Sequence, residues 1–513
     1  MNATCFTFPS TDPGQAAWVA DPSCRGTFNI ALSCLSTTFI CIWSSVHKDI
    51  PFQPLSTFRS LRRDAPLVLV ALFAPELMLY FALNQYICAR SVFRFASELE
   101  SFKVQSNEEK YVSSKFRRLL HFFGLRRDTP SGPESDVELL INREATTSTS
   151  QLGRIVRQNR FTFVHGFYAA MGGFTFIQPR GFFVEEPKQV KLTVAGVKFF
   201  MKYEPDLIPD LSLTSITDRQ KSNSLGKTLL VVQVFWFCLS CVSRLAERLP
   251  LSLLEVSTLA HGLFTLSSYA MWWSKPLSVD VPTWISMDGE HARDAYALVF
   301  IASRGYFRKS DEYEQLKAAL VSNSPPPTRK PILKAAWNAV ERYGISPEDL
   351  STIRDTFFIP MSIKSVPELS DLFNARGFAT LSNYVLQEGT DYVVTTCIPL
   401  VYGFLHLLAL RAQFPTSIER ELWRIASVVV MSSGAFGALV DFIVDICLHG
   451  LGVSGSLGQA IGRSRRIAYN YILPFFYLLA SGYLLVESIR QLWYLPHDAY
   501  VVASWSYYIP HWL

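Results

Sequence analysis

LPLSLLEVSTLAHGLFTLSSYAMWWSKPL, Leu249 to Leu277, is the stretch whose reading decides the fold of this chain. Its apolar part, Leu251 to Ser274, holds roughly twenty-four residues, enough for a helix to cross a hydrocarbon core of about 30 Å. Glu255 and His261 lie inside it, and ionisable groups at that depth are kept for a partner or a function. About 120° of helix rotation separates the two, so they are not a direct pair. Trp272 and Trp273 close the stretch as interface anchors do, and with Tyr269 and Phe264 they are candidate faces for a cation. Upstream, Lys227 to Ser243 is apolar and Arg244 and Arg248 mark a short basic turn, so the two runs read as a helical hairpin.

Further apolar runs occupy Phe28 to Val46, Pro66 to Ala89, Tyr392 to Leu410, Ile425 to Leu448 and Tyr469 to Val486. Pro75-Glu76 sits near the middle of the second, which is therefore a kinked span or a re-entrant segment. The chain is 49% hydrophobic and 18% charged, against about 25% charged in a soluble domain. The fold class expected is an all-α polytopic membrane protein of about seven transmembrane helices. Two largely cytosolic polar insertions, 90–226 and 276–390, contain helices and a little strand. Residues 28–89 hold the first two apolar segments, 227–275 the hairpin and 391–487 three spans. Residues 488–513 form an interfacial aromatic tail.

Inside the first insertion, Lys115 to Arg127 has the spacing of an interfacial helix and 128–151 reads as a flexible loop. Phe161 to Ile177 is a short span or a buried helix, with His165 a satisfied core residue or a site residue, the core reading favoured, and Val190 to Met201 alternates like a strand. Ser346-Pro347-Glu348-Asp349 starts a helix through Phe357. The bilayer is the expected partner, in the endoplasmic reticulum or the plasma membrane. A net charge of +5 without a basic run interleaved with aromatics argues against nucleic acid.

Asn2-Ala3-Thr4 is an acceptor for N-glycosylation at Asn2, and Cys5 and Cys24 form a candidate disulfide, both on a lumenal N-terminal segment, 1–27. No cleavable leader precedes the first apolar run. Residues 89–227 and the second insertion lack cysteine, which favours the cytosol. Seven strict crossings from a lumenal start would put both insertions in the lumen; a re-entrant Pro66 run removes that conflict.

Asp441, Asp445 and His449 fall at steps of four, one stripe of a helix. Two carboxylates a turn apart can hold Mg²⁺ and through it a diphosphate, or pass protons; the same stripe can instead pair with Arg463, Arg465 or Arg466. The spacing resembles the Asp-x-x-x-Asp element of intramembrane prenyltransferases, without the accompanying Asn and further Asp. Glu76, Glu255 and Glu487 are carboxylates in or beside other runs, and burial makes such groups candidate general acids, as in membrane-bound meroterpenoid cyclases. Gly450 to Gly462 matches no phosphate-binding loop and reads as a flexible turn. Asp288, Glu290, His291 and Asp294 form a polar cluster with metal-binding residue types, and at that density in a loop read rather as a solvated face.

Cys24 to Pro51, Ala74 to Leu77, FTFVHGFYAAMGGF, Ile216 to Lys227, the opening stretch and the terminal WSYYIPHWL together resemble a broad family of fungal polytopic integral membrane proteins without a common activity. The resemblance implies a fold and a membrane location and transfers no catalytic residue. The function expected is an enzyme acting on a lipophilic, isoprenoid-like small molecule in secondary metabolism, with Glu255, Asp441, Asp445 and His449 as catalytic candidates and Asp441 and Asp445 as metal ligands. The alternatives are a transporter or receptor, which lacks the internal repeat many transporters contain, or a scaffold.

Overall fold

A computed structural model describes residues 15–16, 25–51, 57–102, 157–177, 189–219, 224–277, 279–286, 289–307, 311–327, 330–347, 350, 358–359, 388–451, 453 and 455–501. Asn2, Cys5, Cys24, the 115–127 helix, the 128–151 loop and most of the helix expected from Ser346 lie outside them.

The opening stretch forms α8, Leu253–Met271, and it is the hub rather than a lipid-facing span. Twelve of its nineteen residues are buried, Glu255, Ser257, Thr258, His261, Thr265 and Ser268 among them. A helix covered nearly all round needs neighbours on every side. They are α1 (Thr27–Ser45), α3 (Pro75–Glu98), α7 (Ser224–Ala246), α12 (Glu388–Leu408) and α15 (Leu473–Arg490). Hydroxyls on its buried faces find local acceptors, as Ser268 does on the Phe264 carbonyl at 2.8 Å, or partners across the bundle, as Ser257 does on Ser488 at 2.8 Å.

Three helical stretches are long and apolar enough to cross a bilayer: Thr27–Ser45, Thr228–Ala246 and Ser417–Leu448. A fourth arises if the bent pair Asp64–Phe73 and Pro75–Glu98 is one span. The expected seven spans are not supported. Polar residues on α8 lower its hydropathy, the apolar helix Val393–Leu408 is short, and the Pro66 run breaks. The aromatic pair at the end of α8 also divides: Trp273 is exposed, while Trp272 is buried and donates from Nε1 to Gln85 at 2.9 Å.

The two polar insertions build one core together. β2 (Phe174–Ile177), β3 (Gln189–Leu192), β4 (Thr283–Ile285) and β5 (Phe358–Ile359) form a sheet of order β4-β2-β3-β5, with β2 parallel to β4 and the other pairs antiparallel. α4 (Phe163–Ala170), α5 (Val194–Tyr203), α9 (Glu290–Phe307), α10 (Asp311–Ser322) and α11 (Pro331–Tyr343) pack on it. Ala295 to Ala302 on α9 are all buried, so this apolar run belongs to the centre of a domain. The Phe161 run is therefore a short buried helix plus a strand. Val190 to Met201 is strand only to Leu192 and helix from Val194. The far end of α3 joins the same core through Val92 and Ala96, as do Ile50 and Phe102.

His165 caps α4. Its Nδ1 accepts from the Thr162 backbone N–H at 3.1 Å, so Nε2 carries the hydrogen and donates to the Leu211 carbonyl at 2.8 Å. Burial pushes its pKa below the ordinary value, opposed by the Leu211 bond and Asp210. The unfolded chain then binds the proton first, so stability is full above about pH 6.5 and is lost as pH falls below it. Thermal midpoints from pH 7.5 to 5.5 are expected to fall more steeply for the parent than for His165→Gln, and parallel curves would refute the assignment.

At the other end of the bundle the tail docks. β6 (Leu495–Pro496) pairs with β1 (Gln15–Ala16), and Arg244 donates to the Val501, Pro250 and Ala499 carbonyls at 2.7, 3.1 and 2.9 Å.

Candidate functional site

The break between α2 (Thr57–Phe73) and α3 places one carboxylate in the middle of the bundle. Pro75 is the first residue of α3, and the residue before a proline is pushed out of the helical region. Ala74 accordingly has φ −143 and ψ 63, and the helix axis turns by 116°. Breaking a helix in an apolar bundle frees carbonyls that must be satisfied. The Leu72 carbonyl meets His261 Nε2 at 2.9 Å, and the Phe73 carbonyl accepts from Tyr477 at 3.2 Å and from Ser481.

Glu76 lies one residue beyond Pro75, in the first turn of α3 where the helix dipole favours negative charge. It is fully buried. Its Oε1 is hydrogen-bonded to Tyr477, and its Oε2 has no partner among the described residues. Tyr477 has a single hydrogen, which can go to Glu76 or to the Phe73 carbonyl. When Glu76 carries a proton, it donates to the phenol oxygen, the phenol donates to Phe73, and both contacts are hydrogen bonds.

A line of buried groups continues from the break. His261 Nδ1 lies 3.4 Å from the Tyr402 hydroxyl and 3.0 Å from the Ser257 carbonyl. Both ring nitrogens of His261 thus face a backbone carbonyl, Nε2 that of Leu72 and Nδ1 that of Ser257, and the Tyr402 hydroxyl stands beside Nδ1. The Tyr402 ring meets His406 with centroids 4.8 Å apart and Phe264 at 5.2 Å, and Trp423 donates to the His406 carbonyl at 2.8 Å. Four helices thus bring Glu76, Tyr477, His261, Tyr402 and His406 together. Tyr402, His406 and Tyr477 went unread in the sequence; the spacing of four between Tyr402 and His406 inside an apolar run was the available signal.

Glu76, His261 and Phe264 were singled out from sequence; the other residues singled out lie elsewhere. Glu255 is the third residue of α8 and closes a capping box with Ser252, accepting from its backbone N–H and hydroxyl at 2.9 Å each. Its other oxygen pairs with Arg25. Asp441, on α13 (Ser417–Asp445), takes Arg465 at 2.8 Å and the Tyr469 hydroxyl at 2.8 Å. Asp445 is exposed one turn on, and His449 falls in the π-helical turn Ile446–Gly450. Glu487 pairs with Arg490 at 3.0 Å. Among the described residues no group of three or more His, Cys, Asp or Glu is placed to hold a metal ion. In the polar face, Asp294 pairs with Arg342 at 2.9 Å and His291 lies 3.6 Å from Glu204.

Comparison with the curated proteins and with the solved structures gives no significant match. A family model does match, over residues 4–125, 131–317 and 364–512, and the chain belongs to that family, a family of unknown function (DUF8562).

Proposed function

We propose that this protein is a multi-pass membrane protein that exchanges a proton through Glu76 at the tip of a re-entrant helical pair and couples that exchange to the movement of a small solute. Ile50 ahead of α2 and Phe102 after α3 share the sheet domain's core, which supports entry and exit of the pair on one side. On this scheme α1, α7, α8, α12, α13 and α15 cross. Both polar insertions then lie together on the cytosolic side, opposite residues 1–27 and the tail. α8, α12 and α15 keep Glu255, Ser257, His261, His406, Ser481 and Glu487 buried in the bundle, where the membrane tolerates them. Broken helices of this kind occur at membrane depth where the irregular backbone serves a site.

The observation that carries the reading is the fully buried Glu76 with one carboxyl oxygen unpartnered. Purified protein in vesicles under an imposed pH gradient, with a pH dye inside and the host's small metabolites outside, is expected to exchange protons. Glu76→Gln should lower that rate roughly a hundredfold, the effect of removing a positioned proton donor, with the thermal midpoint kept. Unchanged exchange in a folded Glu76→Gln protein sinks the proposal.

A second reading is favoured by the aromatic rings beside the acid. Glu76 would then protonate a lipophilic, isoprenoid-like molecule, with Tyr402, Tyr477 and Phe264 facing the resulting cation. Loss of a product from the metabolites of a Glu76→Gln strain, without any effect on vesicle exchange, would select it.

A further inference from the structure

We infer that α14, Gly455–Ile467, is a docking surface for an anionic lipid bilayer, with Arg463 and Arg466 as its headgroup ligands. Gly450 to Gly462 reads as a flexible turn, and from Gly455 it is instead part of a helix of thirteen residues, GSLGQAIGRSRRI. Among the described residues only the end of α13 lies against it, through Arg465 and Asp441 and the Gly458–Leu448 approach. None of its residues is buried. Gly455, Gly458 and Gly462 each weaken a helix by up to about 1 kcal/mol relative to alanine, and an isolated helix this short is marginal in water. The described residues leave the missing burial to be supplied by another surface.

The position of α14 says what that surface is. It runs antiparallel to the end of α13, as three contacts at successive levels show: Tyr469 donates to the Gly437 carbonyl at 2.6 Å, Arg465 pairs with Asp441 at 2.8 Å, and a Cβ on Gly458 would lie 3.5 Å from Leu448. α14 therefore sits where the apolar stretch Ser417–Leu448 ends. The inference rests on that stretch crossing the bilayer.

Two sets of side chains are exposed there. Leu457 and Ile467 on α14, with Phe442 and Ile443 on α13 and Ile446 in the turn after it, are open large apolar groups. Arg463, Arg465 and Arg466 are the open basic ones. Arg465 is taken by Asp441, which fixes the register of the hairpin. Arg463 and Arg466 have no carboxylate partner among the described residues; Arg466 Nε only reaches the Gly462 carbonyl at 3.4 Å. Apolar groups beside unpaired arginines at the end of a span match acyl chains beside acidic headgroups. The proposed topology puts this end on the cytosolic side, where a leaflet carries anionic lipid.

Hydrogen exchange of residues 455–467 in the full chain tests the inference, in vesicles of phosphatidylcholine alone and of phosphatidylcholine with phosphatidylserine. Exchange is expected to be roughly tenfold or more slower with phosphatidylserine, from two arginines at an anionic surface. The R463Q/R466Q double variant, which touches no core residue, should lose the difference, as should high salt for the parent. Equal exchange in the two vesicles, or retained protection in R463Q/R466Q, overturns the inference alone. Full protection already in detergent overturns it too, because protein would then be the cover. A chain that enters neither vesicle removes the membrane reading and this inference together.

Discussion

Glu255→Ala is expected to destabilise the protein by about 3–5 kcal/mol, the usual consequence of removing one partner of a buried ion pair. Arg25 would lose its carboxylate beside Arg244, a second buried guanidinium that is held by backbone carbonyls of the turn and the tail. The first turn of α8 would lose the acceptor for the Ser252 N–H as well, a cap contribution of about 1 kcal/mol. Thermal unfolding of purified protein in detergent reads the effect. Glu255→Gln keeps the cap geometry without the charge and should fall between parent and alanine variant. A Glu255→Ala midpoint within a degree of the parent would show that the pair contributes nothing. Asp441→Asn makes the contrast: its bond to Arg465 is half exposed, and such pairs contribute about 0–1 kcal/mol.

Gly434→Leu should abolish the folded state. α12 and α13 meet backbone to backbone, and a Cβ on Gly434 would lie 2.0 Å from the Thr395 carbonyl oxygen and 2.9 Å from its carbon. Gly403 faces Met431 less closely but still too tightly for a side chain, its Cβ falling 2.6 Å from the Met431 nitrogen. Small residues let membrane helices approach this way, and there dispersion and weak polar contacts replace the hydrophobic effect as the force between helices. No flexible side chain stands in the way to move aside, so the helices must separate. The cost should exceed the about 1–3 kcal/mol typical of overpacking, because the clash is with backbone and no side chain can relieve it. Monodisperse yield in gel filtration should collapse, whereas Gly482→Ala, with nothing within 4 Å of its Cβ, should leave it unchanged or slightly raised. Parent-like yield from Gly434→Leu would mean that the two helices do not pack as described.

Part of the candidate site was legible. Pro75-Glu76 inside an apolar run signals both a helix break and an acid at membrane depth, because proline acts through local backbone sterics alone. Its partners were not legible, since Tyr477 and His261 lie 401 and 189 positions from the atoms they meet. The Asp441 stripe shows the converse. Spacing placed the carboxylates on one helix face correctly, yet the same spacing serves a metal, a proton path or an arginine. Arg465 meets Asp441 only because α14 folds back beside α13. Glu255 drew attention as a charge in an apolar run, but its position three residues after Ser252 is the capping-box pattern, a local signal that was present and went unread.

What the sequence by itself determined is what neighbouring residues decide. Apolar length made the chain helical and membrane-compatible, Pro75 set the break, the caps set helix starts, and Leu249 to Leu277 was recognisable as the organising stretch. Tertiary structure alone decided that α8 is a hub and not a lipid-facing span, because a buried helix and a membrane helix have the same apolar composition and differ only in what surrounds them. It alone joined two insertions, separated by the α7–α8 hairpin, into one sheet domain, because β-pairing follows from register between distant segments. The orphan oxygen of Glu76 is of the same kind: whether a buried carboxyl is satisfied depends on every helix packed around it.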